Sequence, residues 1–571
     1  MERKLQEEMR EKSVWMWPGK ELPDAWVSLK KHLPPRDYWP ECIWDFQRVP
    51  ELRLVPYRLN MGEFAVDRNA KRFPDRTALL YEDEKITWGE LEKLVNKTGN
   101  ALKSLGVTLN DRVAICMPNQ PAWIVTALAC WKIGAIVTLM SHLFKAGTLG
   151  FVADDSEAKV IVADYETIDE ILKARPKFKT VEHIVVLGTD REGCLRYEDI
   201  VKKESAYLEP AETTRFQFCR LIYTSGTTGV PKGCLRTADQ ILASAYCFGM
   251  KTLGITRDDV IGGHPYFTFA FGSVNFTMCP WLPGCAISII RKFTPEKQWE
   301  LVEKHRITQM YAVPTAFKVL LGVKDLEEKY DIRSLRFVQS AADILPAEIF
   351  REWRRRFSFC ELIDSLGSSE LDYWLTTSPH WSEEKIGSIG YSVPEMESKV
   401  IHEDGSPCKP GEVGELVTKG IWGNLYWKKP EEMKKSVING WNRMGLYALV
   451  DEDGCFWIKG RIVTLIKYSG YSIVGHEVAA CLLGHPAVKD CGVVGSPDPL
   501  RGQIVKAYVI LNEGYGPSEK LTEELRQYCK EKIEFYKVPK VIEYVKDMPR
   551  TVTGKVDLMA LEKMEEEKAK T

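Results

Sequence analysis

The chain has 571 residues, of which 44% are hydrophobic and 28% are charged, and its formal net charge is −2. This composition is typical of a soluble enzyme with several domain-sized units, and the lack of a basic block disfavours nucleic acid as a partner. The 15 cysteines are scattered without any Cys-x-x-Cys pair, which disfavours zinc ribbons and disulfide frameworks and predicts reduced thiols in a cytoplasmic location.

The first 60 residues are predicted to form a strap that lies over another surface. They are rich in proline and tryptophan, but the spacing is too irregular for a domain. The tryptophans are Trp15, Trp17, Trp26, Trp39 and Trp44. The charged segment 1–12 has no apolar centre, so we do not expect a secretory signal.

Residues 77–187 alternate between strand and helix patterns. We predict strands at 77–81, 85–88, 112–117, 135–139, 159–163 and 183–187. Helical spacing of apolar residues begins at Trp88, and a second helix is predicted over 122–131. The most apolar run, 123–140, contains Lys132 and Gly134, so it reads as a helix and a strand and not as a membrane span. The pattern predicts a layered α/β domain with a parallel sheet.

A loop rich in glycine and hydroxyl side chains follows the apolar residues Leu221 and Ile222. Glycine lets the backbone pass close to a ligand, and successive N–H groups form a nest for anions. Lys232 adds a mobile positive charge at the end of the loop. The loop is not the ordinary nucleotide P-loop, because Pro231 replaces the required glycine and Gly233 follows the lysine. We therefore predict a loop that wraps a polyphosphate.

After the loop, the chain continues to alternate between strand and helix patterns and then changes to short strands separated by turns. An aromatic segment, 264–272, is by composition alone a core segment. Strand patterns at 309–313, 335–339 and 362–363 extend the α/β region, and Gly/Pro turns in 387–417 predict a small antiparallel β unit. The charged helical tail, 562–570, is expected to be solvated.

The segment Tyr223–Gly233 resembles the phosphate loop of the adenylate-forming enzymes, which include acyl-CoA synthetases, luciferases and peptide-synthetase adenylation domains. Further motifs of that family are matched in order along residues 69–556. They are Ser340–Pro346, Asp364–Glu370, Gly414–Gly420, Leu425–Trp427, Gly460–Arg461, Lys467–Ile473 and Pro549–Lys555. The strap segment 34–40 looks most like the benzoate, aminobenzoate and medium-chain branch of the CoA ligases.

The resemblance implies an α/β fold in three parts. After the strap (1–60), a large N-terminal domain of layered α/β subdomains with a small β unit is expected over 61–460. A small mobile α+β C-terminal domain is expected over 461–571. In the family this domain rotates about the hinge near Arg461 between two half-reactions.

The implied activity is that of an AMP-forming carboxylate–CoA ligase. A carboxylic acid attacks the α-phosphorus of ATP to give acyl-AMP and pyrophosphate, and coenzyme A then gives acyl-CoA and AMP. Mg²⁺ would offset the charge that builds up between the two anions. The partners are therefore the acid, ATP and CoA, with no nucleic acid and no membrane span, and a homodimer is left open.

Site residues are carried over from the matched motifs. The catalytic residues are Lys555, Glu370 and Thr228, and Glu370 and Thr228 are also the metal ligands. The ATP- and AMP-binding residues are Thr224, Ser225, Gly226, Thr227, Thr228, Gly229, Lys232, Ser340, Ala341, Ala342, Asp343, Asp364, Ser365, Leu366, Gly367, Ser368, Ser369 and Arg461. The acid pocket is assigned to Phe267, Phe269, Phe271, Gly272 and Trp427, which favour an aryl, alicyclic or medium-chain acid. Coenzyme A is assigned to Ser469, Gly470 and Tyr471.

Several positions depart from the family pattern. Leu446 stands where an aspartate holds the ribose, Val463 where the hinge has an acidic residue, and Ser472 where an arginine helps hold CoA. Ala342 stands where the family usually has glycine. Two alternatives therefore stay open: a nucleotide- or acyl-CoA-binding regulator without turnover, and a ligase that delivers the acyl group to a carrier protein or an amine. The acid and the physiological direction are also left open.

Overall fold

The computed structural model describes residues 24–41, 55–224, 231–377, 382–420, 423–461, 465–468, 471–498, 502–533, 537–550 and 556–570. The chain divides into two compact units. The first contains residues 1–398 and 418–442, and the second contains residues 399–417 and 443–571. The predicted domain boundary at 460/461 stays a prediction.

A nine-stranded sheet forms one layer of the first unit. In spatial order its strands are Tyr391–Ser392, Asp372–Thr376, Glu361–Ser368, Phe337–Ala341, Gln309–Ala312, Val260–Gly263, Ala286–Ile289, Thr77–Tyr81 and Glu84–Thr87. The six strands from Glu361–Ser368 to Thr77–Tyr81 pair in parallel, and the others are antiparallel additions at the edges. Parallel strands end at the same edge, so loops that follow them gather there.

A seven-stranded sheet forms another layer of this unit. Its spatial order is Leu195–Arg196, His183–Leu187, Ala158–Asp164, Arg112–Cys116, Ile136–Leu139, Phe218–Thr224 and Lys232–Thr237. All neighbours pair in parallel except the last two strands, which form an antiparallel pair around the predicted phosphate loop.

Helices connect and cover these strands. The longer ones in the first unit are Trp88–Ser104, Pro121–Lys132, Ala146–Ser156, Ile168–Ala174, Tyr197–Lys202, Ala238–Ser244, Ala270–Thr277, Pro295–His305, Pro314–Leu321, Ala347–Arg356 and Pro430–Lys435. The helix predicted from Trp88 begins at a capping box, in which Thr87 and Glu90 bond to each other's backbone N–H. Such a cap satisfies N–H groups that the first turn leaves unpaired, which ends the preceding strand at Thr87.

The N-terminal segment 24–41 packs through its aromatic residues. Trp26 is fully buried, stacks on Phe218 with a centroid distance of 4.5 Å, and donates to the Phe216 carbonyl at 2.6 Å. Trp39 lies 5.8 Å from Trp26 in the same hydrophobic cluster. Trp15, Trp17 and Trp44 lie outside the described residues.

The second unit has its own sheet and core. The strands are Tyr471–Val474, Leu465–Tyr468, Gly502–Leu511, Val488–Asp498 and Val541–Tyr544, and the helices are Gly475–Leu483, Glu519–Lys530 and Leu558–Lys570. Short strands of the predicted β unit, Met396–Ile401, Gly414–Gly420, Trp441–Val450 and Phe456–Arg461, contain residues of this unit as well.

The charged C-terminal tail is not simply solvated, so that expectation was wrong. Leu561 and Glu565 of the last helix are 1% and 3% exposed. Glu565 accepts hydrogen bonds from Lys506, at 2.8 Å, and from Tyr508. Glu565 of the tail and Leu561 directly before it therefore lie in the interior of the second unit, while other described tail residues are exposed. The sequence analysis missed this buried face because it consists mainly of one leucine, Leu561, and one paired carboxylate, Glu565, in a segment that is mostly charged.

The α/β fold class with a large N-terminal and a smaller C-terminal part is confirmed. No helix within the described ranges has both the length and the apolar character needed to cross a membrane.

Candidate active site

The predicted phosphate loop connects two antiparallel strands. Thr224 ends the first strand, Lys232 begins the second, and the two residues lie opposite each other in the ladder. Between them, Ser225, Gly226, Thr227, Thr228 and Gly229 lie outside the described residues. The two strands therefore place both ends of the loop side by side.

Lys232 already has an ionic partner at the base of the loop. Its Nζ lies 2.5 Å from Oε2 of Glu432 and 5.5 Å from the centre of the Tyr426 ring. The Lys232 side chain is 13% exposed. The hydrogen bond from Lys232 lowers the pKa of Glu432, so this carboxylate stays ionised at neutral pH. The lysine is thus held by a carboxylate and a ring face, and a phosphate oxygen would have to compete with Glu432 for it.

Tyr426 joins this lysine to the predicted metal ligand. The Tyr426 hydroxyl donates to Oε1 of Glu370 at 2.9 Å. Burial and the charge of Glu370 raise the pKa of Tyr426 well above its usual value, which keeps the hydroxyl protonated and able to donate. Among the described residues, none hydrogen-bonds to the second oxygen, Oε2. A half-buried carboxylate with one oxygen available suits a hard cation such as Mg²⁺.

The two predicted nucleotide motifs end neighbouring parallel strands. Ser340 pairs with Asp364 and Ala341 with Ser365 at the carboxyl ends of Phe337–Ala341 and Glu361–Ser368. This is the edge of an open α/β sheet where ligands bind. The structure therefore brings the two motifs together, although the paired residues Ser340 and Asp364 are 24 positions apart in the chain.

Burial divides the residues of the nucleotide motifs into three groups. Ser340, Ala341, Asp364 and Ser365 are at most 3% exposed, whereas Ala342 and Asp343 are exposed. Leu366, Gly367, Ser368 and Ser369 are half-buried. The buried residues form the floor of the site, and the exposed and half-buried residues lie at its surface.

Asp364 is a buried support for the adjoining loop. Its Oδ2 accepts the Leu345 N–H at 2.9 Å, and burial raises its pKa to about 7. The hydrogen bond fixes the loop that carries Ala342 and Asp343. A nearby anion would raise this pKa further, because it disfavours the charged form.

Ala342 has a backbone conformation that favours glycine. Its φ is +75°, in the left-handed region. There Cβ approaches the following carbonyl oxygen, which costs about 1–2 kcal/mol in residues other than glycine. The departure noticed in the sequence is therefore a strained residue at the exposed end of a site strand.

The aromatic segment packs into the core on the side of Trp123 and Tyr373. Phe267 is 1% exposed, and its ring centre lies 5.4 Å from that of Trp123. Phe271 is buried and its ring meets Tyr373 edge-on at 6.4 Å, while Phe269 is half-buried.

Gly272 cannot carry a side chain in this segment. A Cβ at that position would lie 2.1 Å from the Tyr266 carbonyl oxygen. The helix Ala270–Thr277 can therefore fold back on the aromatic loop only because this residue is glycine.

Trp427 has the surroundings of a core side chain. It is fully buried, its indole donates to the Asp155 carbonyl at 2.8 Å, and its ring stacks on His32 at 4.3 Å. Within the described part of the chain, its ring contacts do not include Phe267, Phe269 or Phe271. These contacts give no support to the acid-pocket assignment of Trp427.

Residues of the second unit are described only in part. Arg461 ends the strand Phe456–Arg461 directly opposite Leu446 in an antiparallel pair. The position where the family has a ribose-binding aspartate is thus the cross-strand neighbour of the predicted ribose-binding arginine. Tyr471 begins the strand Tyr471–Val474, while Ser469 and Gly470 lie outside the described residues.

Lys555 also lies outside the described residues, but both ends of its loop are described. Arg550 and Val556 form an antiparallel bridge, and Asp557 N–H donates to the Pro549 carbonyl at 2.8 Å. Arg550 pairs with Asp490 at 2.6 Å. These contacts close the base of the loop that carries the predicted catalytic lysine.

Two residues that contact the predicted site residues were missed by the sequence analysis: Tyr426 and Glu432. Tyr426 lies inside the matched segment Leu425–Trp427, so proximity to a motif was the available signal. Glu432 carried no such signal, because charged residues are usually exposed and only the fold shows its pairing with Lys232.

Comparisons with known proteins agree with this geometry. Residues 66–424 match the family of AMP-binding enzymes, and residues 477–555 match the AMP-binding enzyme C-terminal domain. An acetyl-coenzyme A synthetase of Bacillus subtilis is 33% identical over 87% of this chain and 89% of its own length. A benzoate–CoA ligase of Thauera aromatica is 30% identical over 91% of this chain and 98% of its own length.

Solved structures show the same fold. A crystal structure of an anthranilate CoA ligase in complex with anthranoyl-AMP has a TM-score of 0.84 and 29% identity, covering 91% of this chain and 100% of that chain. A benzoate CoA ligase from Burkholderia xenovorans has a TM-score of 0.80 and 25% identity, covering 88% of this chain and 100% of that chain.

Proposed function

This chain belongs to the AMP-binding enzyme family, and on that basis we propose that it activates an aryl acid or an acid of similar bulk. It is an AMP-forming carboxylate–CoA ligase, which joins an acid to coenzyme A at the expense of ATP. Enzymes of this class use Mg²⁺ with ATP, and coenzyme A is a co-substrate. The identity of the acid and the roles of individual residues are the proposal.

The polyphosphate is assigned to the loop between Thr224 and Lys232. Two strand ends placed side by side support a loop whose N–H groups and hydroxyls bind anions. Tyr426 contacts Lys232 through its ring and Glu370 through its hydroxyl, so a phosphate oxygen that displaces Glu432 and a cation would each meet a group of opposite charge. Mg²⁺ bound with ATP supplies charge neutralisation at the phosphate oxygens.

Glu370 and Thr228 are proposed as metal ligands, and Ser340–Asp343 and Ser365–Ser369 as the binding surface for AMP. Tyr426 orients Glu370, since its hydroxyl donates to one carboxylate oxygen and leaves the other for the cation. The buried Asp364 fixes the adenine-side loop through Leu345. These residues bind and orient the nucleotide before the acid attacks.

The second unit carries three further proposed site elements. They are Lys555, Arg461 and the segment Ser469–Tyr471. Backbone contacts join the two ends of the loop that carries Lys555. An amine there would offset charge on the acid carboxylate and the α-phosphate during adenylation. Rotation about Arg461 and a thiol path along 469–471 remain proposals, as do a homodimer and a cytoplasmic location.

The aromatic segment carries the proposal about the acid. Phe267, Phe269 and Phe271 place three rings on one loop and helix start, next to Tyr373 and Trp123. Aromatic rings bind a planar apolar body through offset or edge contacts, and acetate has no such body. Two relatives whose structures match over most of their length act on benzoate and anthranilate, as their names state.

Acetate is the second candidate, because the acetyl-coenzyme A synthetase relative has the higher sequence identity. A panel of acetate, butyrate, octanoate, cyclohexane carboxylate, benzoate and 2-aminobenzoate would separate the two. The assay measures pyrophosphate release and acyl-CoA formation with each acid. We expect kcat/KM for an aryl acid to exceed that for acetate by at least about tenfold, the ratio that one well-filled apolar contact provides. A preference for acetate would overturn the proposal.

A further inference from the structure

On the two strands that flank the phosphate loop in the sequence, two arginines share one aspartate. Arg220 lies on the strand before the loop and Arg236 on the strand after it. One Arg220 guanidinium nitrogen lies 2.6 Å from Oδ1 of Asp372, and Nε of Arg236 lies 3.3 Å from Oδ2. All three side chains are at most 2% exposed. We call Arg220, Arg236 and Asp372 the buried triad.

The triad contains more positive than negative charge. One oxygen of the Asp372 carboxylate accepts a hydrogen bond from Arg220 and the other from Arg236. Arginine stays protonated in proteins. Two cations therefore face one anion in the triad. A buried ion pair by itself is weak evidence for a role in stability, since well-packed apolar residues often serve as well. The position of the triad calls for another explanation.

The triad holds the turn that carries Glu370 from both sides. A second guanidinium nitrogen of Arg236 donates to the Ser369 carbonyl at 3.3 Å, immediately before Glu370. Two residues after Glu370, the carboxylate of Asp372 is bound by the same arginine. Arg236 thus connects the strand that leaves the phosphate loop to both ends of this short turn.

The turn itself is tight. Asp372 has φ of +56°, a left-handed conformation that aspartate tolerates better than most residues. A Cβ on Gly367 would lie 2.3 Å from the Asp372 carbonyl oxygen, so the two ends of the turn are in contact. Glu370 N–H donates to the Ser368 hydroxyl at 3.1 Å. Such a backbone persists only when surrounding contacts determine it, and Arg236 supplies two of them.

We propose that Arg236 and Asp372 are positioning residues that fix the Glu370 turn relative to the strand Lys232–Thr237, so that the Glu370 carboxylate is set to receive a metal–nucleotide complex. Arg220 completes the triad by holding the other oxygen of Asp372. The inference rests on the proposed role of Glu370 as a Mg²⁺ ligand. It adds that the position of Glu370 is set by two buried residues to which no contact with ATP or the cation is assigned.

The test measures metal binding directly. Mn²⁺ replaces Mg²⁺, α,β-methylene-ATP replaces ATP, and electron paramagnetic resonance reports free Mn²⁺ in a titration of the whole enzyme. Arg236→Lys keeps the buried charge but loses the fork that reaches both Ser369 and Asp372, and Asp372→Asn removes the shared anion. We expect each to weaken Mn²⁺ affinity of the nucleotide complex by about tenfold, as the loss of one charge-assisted hydrogen bond does.

The matched control is Arg215→Lys. Arg215 is 3% exposed and pairs with Asp239, 2% exposed, at 3.6 Å, which is an equally buried arginine–aspartate pair outside the Glu370 turn. We expect this variant to lose thermal stability without a change in Mn²⁺ affinity. If Arg236→Lys behaves in the same way as Arg215→Lys, the triad is only structural and the proposal is overturned.

A double-variant cycle separates this proposal from the proposed function. Glu370→Gln alone should abolish the Mn²⁺ site, and Arg236→Lys should then add nothing further. If Glu370→Gln keeps wild-type affinity, the metal assignment itself is wrong and the inference fails with it. If Glu370→Gln abolishes binding but Arg236→Lys leaves it unchanged in the wild-type background, only the positioning role fails.

A measurement on the unaltered enzyme covers the case in which the variants do not fold. Amide hydrogen exchange across residues 366–373 is compared without ligand and with Mn²⁺ and α,β-methylene-ATP. A turn held by the triad is protected before ligand is added. Protection that arises only with ligand would overturn the proposal.

Discussion

The hydroxyl of Tyr426 lies 2.9 Å from Oε1 of Glu370, although the two residues are 56 positions apart in the chain. The same ring lies 5.5 Å beneath the ammonium group of Lys232. One tyrosine thereby contacts the residues proposed for the cation and for the phosphates. The Tyr426 contact orients one carboxylate oxygen and leaves the other exposed to the site.

Tyr426→Phe should reduce adenylation without unfolding the enzyme. The variant keeps the ring but removes the donor to Glu370, and a hydrogen bond to a charged group contributes about 1.5–3 kcal/mol. We expect kcat/KM for pyrophosphate release to fall by roughly ten- to a hundredfold. Tyr508→Phe is the control, because Tyr508 also donates to a buried carboxylate, Glu565, in the second unit. Equal losses of activity in both variants would contradict the role given to Tyr426.

Lys232→Ala should raise KM for ATP by about tenfold, because an ammonium paired with phosphate acts as a charge-assisted donor. Steady-state kinetics with varied ATP measure this effect. Lys435 offers a matched control: it pairs with the same Glu432 at 3.5 Å, but its side chain is 73% exposed. Lys435→Ala should leave KM for ATP unchanged, and a similar rise there would assign the effect to the freed Glu432.

Ala342→Gly should raise the thermal midpoint of the first unit. Glycine relieves the strain of φ +75°, which costs alanine about 1–2 kcal/mol. This gain exceeds the destabilisation that arises because glycine gives the unfolded chain more conformational entropy. Ala341→Gly, at the neighbouring buried strand residue, should lower the midpoint instead. Differential scanning calorimetry of both variants checks the sign, and a midpoint lowered in both would refute the strain.

Lys555→Ala should abolish acid-dependent pyrophosphate release and leave thioester formation from supplied acyl-AMP largely intact. The physical reason is that one anion, the acid carboxylate, attacks another, the α-phosphate of ATP, only in the first half-reaction, where an ammonium group offsets their repulsion. Lys546→Ala is the control, an exposed lysine in the same part of the chain. ATP-dependent activity near that of the wild type in Lys555→Ala would disprove the assignment.

The last helix should contribute stability that depends on pH. Burial disfavours the charge of Glu565, but hydrogen bonds from Lys506 and Tyr508 outweigh it and lower its pKa to about 2. The carboxyl group in the unfolded chain titrates near pKa 4.3, so this stabilisation is present above about pH 4.3 and is lost as pH falls through about 2. The thermal midpoint of Glu565→Gln should therefore lie below that of the wild type at pH 6, and the gap should close between pH 4.3 and 2. A gap that does not change with pH would contradict the pairing.

The local motifs could be read from the sequence because they depend on residues that are close along the chain. The strands 77–81 and 183–187, the helix from Trp88 and the ends of the phosphate loop at Thr224 and Lys232 lie where periodicity and turn residues predicted them. The family and reaction class are confirmed for the same reason, since several short motifs occur in the expected order.

Tertiary structure alone decided which of these residues act together. Arg220 and Arg236 meet Asp372 across 152 and 136 residues, and Glu432 meets Lys232 across 200 residues. It also placed Trp427 in the core against His32, and it buried Glu565 in a tail that reads as solvated. The physical reason is that periodicity and spacing describe neighbours on one element. The pairing of buried charges depends on which strands the fold brings side by side, and on the loss of water that makes each unpaired charge costly.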